Sequence, residues 1–247
     1  MKEKSVLLIG ATSSISRALA HEMAEAGTAL HLVARDRTEV ERIANDIAIR
    51  YQSPVSWDTI DAFDYETHEQ LLPKAISNLG SLDGVVVSLG ELGDQAEAEA
   101  DFNLAQRIIN SNYTGVASML TYVANYLEQQ KQGFIIGISS VASDRGRPSN
   151  YIYGSAKGAL SLFLQGMRSR LAKSNVHVMT VKPGFVDTKM TFGKSGMFLV
   201  ASPQQIATAI ASGLRKKKNV IYTPWFWRGI MLIIRSIPES IFKKLKL

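Results

Sequence analysis

Short runs of apolar residues alternate along the chain with longer stretches in which apolar side chains recur every three or four positions. The short runs are typical of buried parallel strands. They predict strands at Ser5–Ile9, Ala29–Ala34, Val55–Thr59, Gly84–Ser88, Phe134–Ser139, Val176–Val181 and Asn219–Tyr222. The longer stretches predict helices, for example at Ile15–Ala26, Glu39–Tyr51, Glu66–Leu79, Tyr113–Gln130 and Tyr153–Ala172. This alternation predicts an α/β fold with a doubly wound parallel sheet and right-handed crossovers.

The composition predicts a single domain and argues against sites built on cysteine or histidine. The chain has 247 residues, of which 46% are hydrophobic, enough to bury one large core. No linker rich in proline or glycine divides it, so we expect one domain over residues 1–222 and a basic extension over residues 223–247. Cysteine is absent, which excludes disulfides and thiol nucleophiles. The few histidines form no close pair, so we expect no metal site.

Positive charge is concentrated at one end of the sequence. The net charge is +6, yet residues 213–247 hold nine of the 28 Lys and Arg side chains and one of the 22 acidic ones. The rest of the chain is therefore mildly acidic. A nucleic-acid binder normally carries its basic footprint across the fold itself, so we expect no nucleic-acid partner.

The sequence predicts a cytoplasmic protein. The apolar run after the charged segment Met1–Lys4 has only the length of a strand, so we expect no secretory signal. No stretch reaches about 18 consecutive apolar residues, so we expect no transmembrane helix. The absence of cysteine suits a reducing compartment.

A turn of small residues follows the first predicted strand and leads into a helix. The N–H groups of a helix N-terminus favour an anion, and in the first βαβ unit that anion is a nucleotide phosphate. Two places of the usual three-glycine fingerprint hold Ser14 and Ser16, and a serine N-cap of an ordinary helix is the alternative interpretation. The position in the chain favours a nucleotide. The predicted phosphate-binding residues are Gly10, Thr12, Ser13, Ser14 and Ile15.

The end of the second strand indicates which cofactor binds. An acidic residue there receives the ribose 2′-hydroxyl of NAD, whereas an arginine accommodates the 2′-phosphate of NADP. Here Ala34 ends the strand and Arg35 follows it, so we predict NADP(H). The alternative is that Arg35 and Arg37 only solvate a loop.

The most specific pattern combines a serine with a tyrosine and a lysine. Tyr153 and Lys157 stand at i and i+4 on a predicted helix, so both project from one face. A nearby ammonium stabilises a phenolate and lowers the tyrosine pKa, which ordinarily is near 10. Ser140 follows the fifth strand, and its hydroxyl is placed to hydrogen-bond a substrate carbonyl at the sheet edge where ligands bind.

In order and spacing, these residues resemble the short-chain dehydrogenase/reductase family, with its Rossmann fold, over about residues 5–222. The resemblance also rests on Asp61, Asn112 and the Pro183-Gly184 pair. It implies an NADPH-dependent carbonyl reductase in which Tyr153 donates the proton. Lys157 would lower the pKa of that tyrosine and hold the nicotinamide ribose, Ser140 would orient the carbonyl, and Asn112 would support a water relay.

The same resemblance implies further cofactor contacts and an assembly. Asp61 and Ala62 would contact adenine. The nicotinamide and its phosphate would be lined by Pro183, Gly184, Val186 and Thr188. A substrate lid containing Lys194, Met197 and Phe198 would follow, and a homodimer or homotetramer would form through the helices at Tyr113–Gln130 and Tyr153–Ala172.

Departures from the family pattern and a closer similarity refine this picture. The loop after the fourth strand reads Val87-Ser88-Leu89-Gly90, in which only Gly90 matches the family's Asn-Asn-Ala-Gly, so the loop beneath the cofactor is expected to pack differently. Stretches at residues 90–95, 112–114 and 140–150 are similar to reductases of a polyprenyl-phosphate-linked 2-keto-pentose. That similarity implies a lipid-linked keto-sugar or keto-lipid substrate.

The extension combines aromatic, apolar and basic residues. Trp225, Phe226 and Trp227 lie beside Arg228, and an apolar run and a lysine cluster follow. This composition suits an interfacial helix on an anionic membrane, at the inner face of the cell membrane. The alternative interpretation, which the sequence supports equally, is that the apolar face packs on the domain or on another subunit. A second hypothesis for the whole chain is therefore a non-catalytic nucleotide-binding module that scaffolds at a membrane.

Overall fold

The computed structural model describes residues 4–188 and 199–245, which contain a seven-stranded parallel sheet of order β3-β2-β1-β4-β5-β6-β7. The strands are β1 Ser5–Ile9, β2 Ala29–Ala34, β3 Val55–Thr59, β4 Gly84–Val87, β5 Gly133–Ile138, β6 Val176–Pro183 and β7 Val220–Thr223. The helices are α1 Ser14–Glu25, α2 Arg37–Tyr51, α3 His68–Leu79, α4 Gln95–Ala100, α5 Phe102–Ile109, α6 Gly115–Gln130, α7 Tyr151–Leu171, α8 Pro203–Arg215, α9 Trp227–Ser236 and α10 Glu239–Phe242.

Both faces of the sheet are covered by helices. Successive residues of a strand point to opposite faces, and in β1 Leu8 joins the core formed with α1, α2 and α8. Its neighbour Leu7 joins the core formed with α3, α6 and α7. The strands are continuously apolar because neither face meets solvent. The predicted doubly wound parallel sheet is therefore confirmed.

The differences from the predicted elements are local and have structural reasons. Strand β6 extends to Pro183, because Lys182 and Pro183 pair with β7. Helix α6 begins only at Gly115, since residues 110–114 form a wider π-helical turn. Helix α7 begins two residues before the predicted start at Tyr153.

Strand order reverses between β1 and β4, which opens a crevice at the carboxyl edge of the sheet. The extension after β7 returns to this edge. Trp227 and Met231 of α9 are buried against Val141, in the loop after β5. In the part of the chain that the structure describes, no helix combines the length and the apolar content needed to cross a membrane.

Candidate active site

A cavity of about 640 Å³ opens at the carboxyl edge of the sheet. It is lined by the loops that follow six of the seven strands. Among the residues singled out from the sequence, those lining it are Gly10, Thr12, Ser13, Ser14, Ile15, Arg35, Asp61, Ala62, Gly90, Ser140, Tyr153, Lys157, Pro183, Gly184, Val186 and Thr188. Asn112 lies fully buried just behind Gly90. Residues far apart in sequence therefore meet at one edge, as the parallel topology requires.

The turn after β1 is shaped by a close approach of two backbones. Gly10 has φ +82°, and a Cβ there would lie 2.6 Å from the carbonyl oxygen of Ser88. The Ser13 hydroxyl accepts the amide of Ser16 at 3.1 Å and lies 2.9 Å from the hydroxyl of Ser88. Ser13 is thus a helix N-cap, as the alternative interpretation of the serine-rich turn holds.

Capping does not use all the donors at the start of α1. The amides of Ser14 and Ile15 have no partner within residues 4–188 and 199–245. Both residues line the cavity, so the positive end of the helix faces it. Ser16, which replaces a family glycine, is only 1% exposed, and its hydroxyl has no partner among the described residues. The turn therefore offers the donors that a dinucleotide phosphate needs, and the cradle fits such a cofactor.

At the end of β2, three charged residues have separate roles. Asp36 accepts the amide of Glu39 at 3.0 Å and caps α2. The Arg37 guanidinium stacks on Trp57, 5.2 Å from the ring centroid. Arg35 is exposed and lines the cavity. The carboxylate at this strand end is thus engaged in a helix cap, and the cavity meets an arginine.

The loop after β3 is held in place by a histidine that the sequence analysis did not single out. His68 is fully buried, and its Nε2 lies 2.8 Å from the carbonyl oxygen of Asp61. The Asp61 carboxylate accepts the amide of Phe63 at 3.0 Å. A Cβ at Gly115 would lie 2.3 Å from the Ala62 carbonyl oxygen, so glycine at that position lets this loop approach α6.

Tyr153 and Ser140 lie together on the other side of the crevice. Burial raises the pKa of Tyr153 to about 12, and its hydrogen bond with Ser140 lowers the value only in part. Lys157 is not among the causes of this shift, and its role in lowering the pKa of Tyr153 stays a prediction. The Lys157 ammonium lies 5.9 Å from the centroid of the Tyr153 ring.

The environment of Lys157 bears on its influence on Tyr153. Its Nζ donates to the carbonyl oxygens of Leu89 at 2.9 Å and Ile138 at 3.1 Å. The side chain is 3% exposed, and burial lowers its pKa to about 7. Burial therefore disfavours the charged form of this amine, the form that would stabilise a phenolate.

Asn112 is held by the wide helical turn before α6. Its Nδ2 donates to the carbonyl oxygens of Glu91 at 2.7 Å and Ile108 at 2.8 Å. Its Oδ1 is buried and has no partner among the described residues. A Cβ at Gly90 would lie 2.1 Å from this oxygen, so only glycine fits there. The arrangement leaves an acceptor oxygen directed towards the Gly90 loop.

The end of β6 is joined to the extension. A Cβ at Gly184 would lie 1.9 Å from Nε1 of Trp227, so the indole packs directly on this glycine. Asp144 pairs with Lys182 and accepts the hydroxyl of Tyr222 at 2.7 Å. Arg145 binds Glu239 at 2.6 Å. The extension therefore packs on the domain behind the cavity lining, as one of the two interpretations of its apolar face predicted.

Three further points concern the predicted lid, possible metal sites and cavity residues that were not predicted. Lys194, Met197 and Phe198, predicted to form a lid, lie outside the described residues. Within residues 4–188 and 199–245, no three histidine or acidic side chains come together in a way that could hold a metal ion. Two cavity residues, Arg147 and Asn150, were missed in the sequence, because a loop containing Gly, Pro and Arg is typical of exposed surface.

The fold and the cavity define a doubly wound α/β protein with a dinucleotide-type crevice. A family model described as short chain dehydrogenase matches residues 4–196. The chain therefore belongs to the short-chain dehydrogenase family of oxidoreductases, which act on alcohol and carbonyl groups.

Similar proteins span nearly the whole chain. An uncharacterized oxidoreductase of Mycobacterium tuberculosis is 32% identical over 97% of this chain and 96% of its own length. One from Streptomyces coelicolor is 33% identical over 98% and 96%. Among solved structures, an alcohol dehydrogenase from Thermococcus sibiricus complexed with 5-hydroxy-NADP has a TM-score of 0.78 and 25% identity, covering 90% of this chain and 96% of the other.

Proposed function

We propose that this protein is an NADPH-dependent carbonyl reductase. The observation that carries the proposal is the grouping of Ser140, Tyr153 and Lys157 at one end of a cavity. The unpaired amides of Ser14 and Ile15 line the same cavity from the β1 side of the sheet. Such an arrangement can hold a dinucleotide across the crevice with its reactive end near the tyrosine.

The chemistry follows from the protonation of the buried groups. A nicotinamide cofactor, when bound, supplies the hydride. Tyr153, with a pKa of about 12, holds its proton at neutral pH and can donate it to the carbonyl oxygen. Ser140 donates a hydrogen bond to the same oxygen, and the Asn112 Oδ1 offers an acceptor for a water that returns a proton towards Lys157.

The preference for NADPH is supported by Arg35. This arginine lines the cavity at the end of β2, and Asp36 is engaged in the cap of α2. A guanidinium there can pair with a 2′-phosphate. The Thermococcus sibiricus alcohol dehydrogenase was solved with an NADP derivative, which agrees with this choice.

The test is a pair of titrations of the protein with NADPH and NADH, followed by nicotinamide fluorescence. We expect NADPH to bind at least about tenfold more tightly, a difference of about 1.4 kcal/mol. In Arg35→Gln this preference should fall, while the affinity for NADH stays the same. Arg37→Gln is the control, because Arg37 stacks on Trp57. Equal binding of both cofactors by the unaltered protein would contradict the NADPH assignment.

A lipid-linked keto-sugar or keto-lipid remains the substrate that we propose, with a membrane contact through the extension. Helices α9 and α10 and the residues just before α9 expose four large apolar side chains, Trp225, Leu232, Ile233 and Ile241, with exposed fractions of 82%, 67%, 69% and 54%. Exposed basic residues, among them Arg228 and Lys243, flank these side chains in the sequence. Apolar residues beside cations suit an anionic lipid surface.

Vesicle sedimentation tests the membrane contact. The protein should bind phosphatidylglycerol vesicles and not phosphatidylcholine vesicles, and a Leu232→Ser, Ile233→Ser double variant should lose binding. Ile49→Ser is the matched control, since Ile49 is 80% exposed on α2. If the double variant instead changes only the oligomeric state, the apolar face is an interface between subunits. A homodimer or homotetramer in the cytoplasm remains our expectation for the assembly.

A further inference from the structure

Arg147 lies in the loop between the short helical turn at Val141–Asp144 and helix α7. It lines the cavity together with Asn150 and Tyr153. The loop is ordered by a turn in which the Asn150 amide donates to the Arg147 carbonyl oxygen at 3.1 Å. This loop follows β5, whereas the phosphate-binding turn follows β1 on the other side of β4. Arg147 therefore stands near the catalytic end of the cavity, away from that turn.

Arg147 is half-buried, and its guanidinium has an unpartnered nitrogen among the described residues. Its Nε is buried and has no hydrogen-bond partner within residues 4–188 and 199–245. Partial burial lowers the pKa of this group below its ordinary value. Burying part of a cation without a partner is costly, so this cost calls for an explanation in function.

Acidic side chains on both sides of this loop are engaged with other partners. Glu91 also lines the cavity, but it binds Arg107 at 2.8 Å. Asp144 is three residues before Arg147 and pairs with Lys182. Neither carboxylate is available to Arg147. The guanidinium is therefore available to an anionic group of a molecule that enters the cavity.

Asn150 shows that the same end of the cavity suits a polar ligand. Its Oδ1 is buried and also has no partner in the part of the chain that the structure describes. A cationic donor and a neutral acceptor are thus both left unpaired close to Tyr153. An arginine presents a planar fork of N–H donors that matches the two oxygens of a carboxylate or phosphate. A simple apolar ketone would satisfy neither group.

We propose that Arg147 binds an anionic oxygen group of the substrate, a phosphate or a carboxylate, while the carbonyl of the same molecule lies at Ser140 and Tyr153. The inference rests on carbonyl reduction as the reaction and adds the chemical class of the substrate. Asn150 accepts a hydroxyl group beside the anion. Arg147 is thereby a specificity-determining residue, because a neutral ketone leaves its charge buried and unpaired.

Matched pairs of ketones test this inference by activity. One pair is dihydroxyacetone phosphate and dihydroxyacetone, and the other is acetoacetate and its ethyl ester, so that a phosphate and a carboxylate are distinguished. We expect kcat/KM to be at least about tenfold higher for the anionic member of one pair. Arg147→Gln should remove this preference, by lowering kcat/KM for the anionic ketone at least about tenfold more than for its neutral partner. A preference that survives this substitution, or an equal loss on both members, overturns the proposal.

Binding to the protein loaded with NADP⁺ gives a readout that does not depend on turnover, because the oxidised cofactor cannot reduce a ketone. Calorimetry should show that the preferred anionic ketone binds the unaltered protein most tightly. It should bind Arg147→Lys more weakly, and it should bind Arg147→Gln at least about tenfold more weakly than the unaltered protein. Arg42→Gln is the charge-matched control, since Arg42 is an exposed arginine paired with Glu39 on α2. An equal loss in this control would attribute binding to net charge and overturn the proposal.

The two experiments separate the inference from the proposed function. If the anionic ketone binds in an Arg147-dependent manner and no ketone is reduced, the anion site stands and the reductase assignment fails. If neutral ketones are reduced and binding of the anionic ketone does not depend on Arg147, the reductase assignment stands and the anion site is refuted.

Discussion

The two ends of the cavity present different kinds of unpaired group among the described residues. On the β1 side the unpaired groups are backbone amides, those of Ser14 and Ile15, whose positions are set by the helix that they begin. On the β5 side the unpaired groups are side chains, those of Arg147 and Asn150. Backbone donors persist whatever the sequence, as Ser14 shows in a place where the family has glycine. Side-chain groups can be changed by one substitution, so substrate choice can vary while the cofactor end stays fixed.

The largest expected effect concerns the catalytic end. Tyr153→Phe removes the proton donor and should lower kcat on the order of 10³-fold. NADPH affinity should stay within about twofold in fluorescence titration, because the phosphate-binding turn is on the other side of β4. Retained turnover would contradict the role of Tyr153, and lost NADPH binding would show that the two ends are not independent.

At the cofactor end, the shape of the backbone itself can be tested. Gly10→Ala should lower the free energy of unfolding by about 3 kcal/mol, because a side chain meets both positive φ and the Ser88 carbonyl oxygen. Gly27→Ala is the matched control, since Gly27 has φ +79° and no atom within 4 Å of its added Cβ. It should cost about 1 kcal/mol. Equal losses in urea unfolding would refute the close approach of the two backbones.

Lys157 links stability to pH. Its pKa is about 7 in the fold and 10.5 as the ordinary value, so between these pH values the unfolded chain binds a proton that the folded chain does not. The free energy of unfolding should therefore rise with pH, by at most about 1.4 kcal/mol per unit. Measured by urea unfolding at pH 7, 8 and 9, this rise should be absent in Lys157→Met. Tyr153 titrates only above this window.

The smallest effect compares two arginines of one loop. Arg145 binds Glu239 and lies over the ring of Phe242, 4.2 Å from its centroid, whereas Arg147 has no partner in the described residues. Arg147→Met should therefore raise the free energy of unfolding by about 1 kcal/mol, and Arg145→Met should lower it by a similar amount. If thermal unfolding shows a loss for both variants, Arg147 has a structural role.

Much of this architecture could be predicted from the sequence, because strands buried on both faces have continuous apolar runs. Three predicted strands, at Ser5–Ile9, Ala29–Ala34 and Val55–Thr59, match the structure in both boundaries. The turn, the tyrosine–lysine pair and Arg35 were found because local spacing and strand ends locate them. Short helices such as α4, with six residues, were missed because they span too few turns to establish a periodic pattern.

Properties that depend on tertiary environment could not be predicted. The pKa of Lys157 is lowered by burial, which no local pattern reveals. Arg147 has the sequence context of a solvated loop, and the burial of its Nε depends on the folded position of that loop at the sheet edge. The extension packs on the domain through Trp227, which is 2% exposed, whereas Trp225 is 82% exposed, and its membrane contact stays a prediction.

The packing of Trp227 on Gly184 has a consequence for how this protein can change over evolutionary time. The two positions are 43 residues apart in the chain, yet the space that a single methyl group would need at 184 is filled by the indole. Any other residue at position 184 requires a smaller one at position 227. If position 184 changes first, its side chain clashes with the indole, and if position 227 changes first, a cavity is left beside Gly184. Positions 184 and 227 are therefore expected to change together.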